Sequence, residues 1–249
     1  MIFTLQIELT MKKYVMNVIA ALLLVGLLPL CGCVQQGDGE RKAAVQEETQ
    51  PAEKPVQEVK TSIEGAINHD NWDASQSSTV TFERFPGSLA EWERMREVLG
   101  TEPQGAVALQ VMAFELYHSN KAEGTQAIEK NNTATNCTST LRQLEQVLHA
   151  KEGDYARPYL PLALLQGATP ENGYRPHTPY QVLVRVNPAM KYQHSEMLGG
   201  TVIYLQVDGR GWDTNWRGVE VVKPQGEQYY VVSNCPAMYT QCKKTQLPN

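Results

Sequence analysis

The chain has 249 residues, 42% of them hydrophobic and 20% charged, with a formal net charge of −5. That length allows one sizeable domain plus appended segments. The acidic balance argues against nucleic-acid binding, which needs a basic face, and against affinity for anionic lipid headgroups.

The first ten residues, MIFTLQIELT, make a poor leader because they are not basic, whereas Met11-Lys12-Lys13-Tyr14 begins as a signal n-region should. Met11 is therefore the expected start. The apolar run Val18 to Leu30 spans 13 residues and is interrupted by Gly26 and Pro29. A membrane-spanning helix needs about 20, so the run reads as the apolar core of a signal peptide. Leu30-Cys31-Gly32-Cys33 resembles the lipobox cut by lipoprotein signal peptidase, with an aliphatic residue at −3, a small one at −1 and the acceptor thiol at +1. Cleavage before Cys31 would leave Leu30 at −1, a poor fit. Residues 1–32 are thus expected to be a lipoprotein signal peptide. Cys33 is expected to carry palmitate and other acyl chains, and to anchor the protein on the extracytoplasmic side of a cell membrane or outer membrane.

Residues 33–77 are expected to form the lipidated cysteine and a disordered tether. From Val34 to Trp72 the composition is Gln, Glu, Lys, Ala and Pro, acids outnumber bases, and no aromatic residue precedes Trp72. So little apolar surface cannot offset chain entropy. As a coil the segment reaches roughly 30–40 Å. Thr61 to Asn68 is the one stretch with the composition of a short helix.

Residues 78–249 are long enough for a single domain with its own core. Thr79-Val80-Thr81-Phe82-Glu83 alternates with the period of a strand. Ser88 and Glu91 form a capping box ahead of Leu89, Trp92, Met95 and Leu99 on one helical face, and Gly100 supplies the stop. Pro103 restarts a helix whose stretch Ala106 to Tyr117 is apolar nearly all round, which marks burial at the centre of a domain. Asn120 and Glu123 cap a further helix towards Asn131. Thr140 and Gln143 look like the capping pair of a last one that ends near Ala150.

After Glu152 five prolines forbid a long helix, although Leu160 to Leu165 can make a turn or two. Strand patterns follow at Tyr180 to Val186, Thr201 to Val207, Gly218 to Val222 and Gln228 to Ser233. Helices over 88–165 followed by strands over 179–235 define an α+β fold, an N-terminal helical layer packed on a C-terminal antiparallel sheet of four to five strands. Strands that short can also curl into an SH3-like half barrel.

The stretch Gly167 to Tyr174, GATPENGY, is followed by Pro176 and Pro179-Tyr180 and preceded by the helix GAVALQVMAFELY. This pattern resembles a family of bacterial domains of unknown function found in lipoproteins and secreted proteins, over roughly Pro86 to Cys242. The resemblance implies a shared fold and carries over no catalytic residue. After Gly211 the chain departs from the family, placing Asp213, Thr214, Asn215, Trp216 and Arg217 where the family tends to have a Gly-x-Asp-Ser-Pro-Arg-Pro run. Physically, Pro170 presets one turn and Asn172-Gly173 tolerates the left-handed conformation of a second, so that Tyr174 and Tyr180 pin the crossover from helices to sheet. The same loop could instead contact a ligand.

No HExxH motif, CxxC pair, GxSxG elbow or glycine-rich phosphate loop is present, so no metal, cofactor or catalytic set is expected. A cysteine hydrolase pairing Cys137 with His149 or His177 is the enzyme alternative. The best candidate binding site is the loop DGRGWDTNWR, where Trp212 and Trp216 stand beside Arg210, Asp213 and Arg217. That mixture can stack on a glycan or peptide and hydrogen-bond its rim. The plainer reading is that both tryptophans fold back over the end of the sheet. Cys235 and Cys242, joined by a turn at Pro236, are the expected disulfide, worth about 2–3 kcal/mol in the chain-entropy model. Pairings of either with Cys137 stay open. The whole describes a lipid-anchored envelope protein whose domain binds a cell-wall, glycan or protein ligand without catalysis. A cell-surface cysteine hydrolase and a purely structural envelope component are the alternatives.

Overall fold

A computed structural model describes residues 57–150 and 154–247. The signal peptide, Cys31 and Cys33 lie outside the described residues. Among those residues, no helix is long and apolar enough to cross a membrane.

Four α-helices precede most of one seven-stranded antiparallel sheet, so the fold is α+β. Strands β1 (Thr61–Gly65) and β2 (Ser77–Phe82) come first. Helices α1 (Leu89–Leu99), α2 (Pro103–Ser119), α3 (Lys121–Asn131) and α4 (Ala134–Leu148) follow. Then come β3 (Tyr180–Val186), β4 (Gln193–Ser195), β5 (Gly200–Asp208), β6 (Trp216–Val222) and β7 (Val231–Asn234). The strand order is β1-β2-β3-β5-β6-β7, with β4 pairing β5 off that path.

The expected sheet of four or five strands is therefore too small, and it is an open sheet rather than a half barrel. Thr61 to Gly65 forms an edge strand instead of a helix, with Ile63 opposite Val80. Val59 and Ile67 on either side of β1 are buried. Strand β1 thus lies inside the stretch expected to be tether. Both missed strands are short and polar: TSIEG turns one face to solvent, and QHS has too few residues to show a period.

The inner face of the sheet carries Val80, Phe82, Val182, Val184, Val186, Ile203, Leu205, Val207, Val219, Val221 and Val232, all buried. Helix α2 lies across it and touches β2, β3, β5, β6 and β7. Every residue of α2 from Pro103 to Phe114 is buried, as a helix apolar nearly all round requires. Such a helix spreads the sheet open, because closing the strands into a barrel would take away the face it covers. Trp92 of α1 is fully buried and its indole N–H donates to the Leu109 carbonyl of α2 at 3.1 Å. Gln110 in the middle of α2 accepts from the amides of Asn131 (2.7 Å) and Asn132 (2.9 Å), which ties the end of α3 to the core helix.

Helix α4 begins at Ala134, six residues before the expected cap at Thr140. Its start is set by docking on the sheet, since Asn132 bridges Val232 and the Thr133 N–H donates to the Val232 carbonyl at 3.0 Å. Thr140 is buried inside the helix and caps nothing.

Candidate functional site

The loop between β5 and β6 does not gather its predicted residues at one place. Trp212 is 3% exposed, and its indole N–H donates to the Thr240 carbonyl at 2.6 Å. The Arg217 guanidinium lies 5.1 Å from the Trp212 ring centre and donates through Nε to the Ala237 carbonyl at 2.8 Å. Asp213 is exposed and pairs with Lys243 at 2.9 Å. These three residues hold the C-terminal segment against the domain. Arg210 pairs instead with Asp208 at 3.4 Å. Trp216 is on the other face of the sheet, half-buried, with the Arg185 guanidinium 3.8 Å from its ring centre. A platform built from both tryptophans is therefore absent.

The GATPENGY loop grips the same C-terminal segment. Gly173 takes a positive φ of 66°, as the Asn-Gly turn requires, and Tyr174 after it stands at 55°. Asn172 fastens the loop from inside: its side-chain oxygen accepts from the N–H groups of Thr169 (2.9 Å) and Arg175 (3.1 Å), and its amide donates to the Gly167 carbonyl (2.8 Å). Tyr174 is fully buried, stacks on Tyr159 at 4.7 Å, and donates its hydroxyl to the Lys243 carbonyl at 3.0 Å. The Gln246 N–H donates to the Pro170 carbonyl at 2.8 Å, and the Lys243 N–H to the Gly211 carbonyl at 2.7 Å. Tyr180 packs against Phe82 and Phe85 at the start of β3. Residues 237–246 thus form a strap laced to three separate loops.

The expected Cys235–Cys242 bridge is not formed, and all three described cysteines are buried free thiols. The two sulfurs face different surroundings. Cys235 Sγ lies 3.4 Å from Asn136 Nδ2 and 3.6 Å from Thr140 Oγ1 on α4, whereas Cys242 Sγ lies 3.9 Å from the Tyr174 hydroxyl. The 3-10 turn Pro236–Met238 directs the chain away between them. Burial pushes both thiols up to about 11 and raises Cys137 as well. None of them supplies a thiolate at neutral pH. Cys137 and His149 stand at opposite ends of α4, about 18 Å apart along its axis. His177 is exposed on the loop before β3. Among the described residues, no three His, Cys, Asp or Glu side chains come together as a metal site.

What the strap does create is a groove. It has a volume of about 370 Å³ between the C-terminal half of α4, the segment Asp154 to Arg157, and strap residues Tyr239 to Cys242. Gln143 and Gln146 enter it from α4, three residues apart and so on one helical face. Gln241 enters from the opposite wall at a positive φ of 61°. Tyr155 stands on the rim and is 78% exposed. Arg157 underpins the floor, donating Nε to the Cys242 carbonyl (2.6 Å) and Nη1 to the carbonyls of Asp154 (2.6 Å) and Ala156 (2.8 Å). Asp154 is ion-paired with Lys244, which holds its carboxyl below the ordinary range. Sequence reasoning missed this site because its walls come from three distant stretches with no common spacing. Gln143, which the sequence offers as a capping partner, lines the groove instead.

A helical layer on one face of an open antiparallel sheet, with a groove walled by the C-terminal strap, defines an α+β domain. The chain belongs to the family described as Domain of unknown function (DUF6935), whose model matches residues 84–246. No curated protein and no solved structure matches it.

Proposed function

We propose that this chain is an envelope lipoprotein, anchored through acylated Cys33, whose folded domain is a non-catalytic binding module working through the groove between α4 and the strap. The observation that carries the binding role is the groove's lining. None of the side-chain amides of Gln143, Gln146 and Gln241 has a hydrogen-bond partner among the described residues, and Tyr155 beside them is turned to solvent. The charged side chains at the groove, Arg157 and Asp154, are engaged within the fold, so the amides are the groups left for a ligand. The GATPENGY loop then serves as the clasp that holds the strap in place and leaves the ligand to residues outside it. The anchor rests on the short apolar run and Leu30-Cys31-Gly32-Cys33.

Two measurements test the proposal. Cys33→Ser should leave an unprocessed precursor that takes up no labelled palmitate; label retained by the variant removes the anchor. Fractionated envelope extract, added to the purified full chain, should slow amide exchange at residues 143–147 and 239–242. Exchange unchanged by every fraction rejects the binding role.

A further inference from the structure

We propose that the groove takes an uncharged saccharide, with Tyr155 stacking on a sugar face and the amides of Gln143, Gln146 and Gln241 pairing with its hydroxyl or acetamido groups. The proposal rests on the binding role assigned above and names the ligand class.

The charges at the groove are already committed within the protein. Arg157 is turned onto three main-chain carbonyls and Asp154 onto Lys244. Both groups thus have partners without a ligand, and a neutral ligand can bind while leaving those contacts in place. The free groups are amides, each presenting a donor pair and an acceptor, which is the complement of hydroxyls that also donate and accept. A purely apolar ligand would cover these amides without offering them partners, which disfavours it. A peptide bound as an added strand needs a sheet edge, and the groove is walled by a helix side and an irregular strap. Two features suit a pyranose in particular. Tyr155 offers an exposed ring able to pack on the ring C–H face while the polar edge of the sugar turns to the glutamines. The volume falls at the small end of the range for small-molecule sites, with room for about two sugar rings. Gln241 also holds a left-handed backbone conformation that a non-glycine residue adopts only at a cost, and this conformation brings its side chain to the groove wall.

The test uses the purified full chain, with chemical-shift perturbation as the readout. N-acetylglucosamine tetramer and glucose tetramer are the probes; a galacturonate oligomer and a Gly-Ser-Ala peptide are the comparison arms. Saturable shifts confined to residues 143–147, 155 and 239–242 with a neutral saccharide are expected. Tyr155→Ala should weaken that binding roughly tenfold, a loss of about 1.4 kcal/mol. Tyr155→Phe should retain it, and both variants should keep the parent melting temperature because the side chain is exposed. Binding insensitive to Tyr155→Ala overturns the proposal. So does a groove that answers the acid or the peptide and neither saccharide, a result that leaves the binding role standing. A groove that answers no probe and no envelope fraction overturns both.

Discussion

Glu91 shows how one side chain settles a corner of the fold. Its carboxylate receives Arg84 in a two-pronged pair, Nη1 to Oε2 at 2.7 Å and Nη2 to Oε1 at 2.9 Å, and also accepts the Gly87 N–H at 2.8 Å. The hydrogen bonds from Arg84, ahead of that from Gly87, hold its pKa below the ordinary value, against a desolvation that acts the other way. A depressed carboxyl pKa contributes stability that is fully present above the unfolded value, about 4.3, and is lost as the pH falls through the folded value. Glu91→Gln should therefore cost about 1–2 kcal/mol near neutral pH, and the gap to the parent should close in acid. Urea melts of both proteins at about pH 7 and about pH 3 check it; an equal gap at both would mean that shape, not charge, is what Gln fails to supply. The sequence shows Ser88 and Glu91 as a capping box, and half of that stands, since the Ser88 hydroxyl accepts the Glu91 N–H at 3.2 Å. The other half is redirected, because a neighbouring guanidinium outcompetes the Ser88 backbone for the carboxylate, and Arg84 carries no spacing that announces it.

At the scale of elements, α2 and α3 approach so closely that only a hydrogen fits between them at Gly124. A β-carbon there would stand 2.1 Å from the Tyr117 backbone of α2. Alanine is the better helix former by about 1 kcal/mol, so in an isolated helix Gly124→Ala would stabilise. Here backbone meets backbone and neither can rotate away. The substitution should destabilise by about 1–3 kcal/mol net, measurable as a lowered melting temperature, and a raised one would show that the corner between the helices can open at no cost. The elements legible in the sequence are those whose own period decides them. The starts of α1, α2 and α3 follow from Ser88, Pro103 and Asn120, and the inward valines of β3, β5 and β6 follow from alternation. Those that were not legible are set by partners elsewhere in the chain: α4 by the pairing of Asn132 and Thr133 with Val232, and β1 by the waiting edge of β2. The same reason hid the site. Two tryptophans four residues apart suggest one surface, yet Trp212 turns in to the strap and Trp216 out to Arg185.

For the whole molecule, the strap is the piece on which separate loops depend. Trp212, Tyr174 and Arg157 direct their donors at the carbonyls of Thr240, Lys243 and Cys242. A chain ending at Tyr239 would leave three buried or half-buried donors without partners, at about 1–3 kcal/mol each. It should melt well below the parent, and with Trp72, Trp92 and Trp216 replaced by Phe in both the truncated and the full chain, Trp212 emission should become open to acrylamide in the truncated chain only. Emission that stays shielded would show that Trp212 is held by the Arg217 contact alone.

The order of the strands bears on how such a domain would meet its surroundings. The chain enters through β1 at one edge of the sheet, and β7, from which the strap departs, is the other edge. Across the five inter-strand steps between them lie roughly 24 Å. Helix α4, one wall of the groove, packs on the β7 side. The first described strand and the wall of the groove are then set at opposite margins of the sheet.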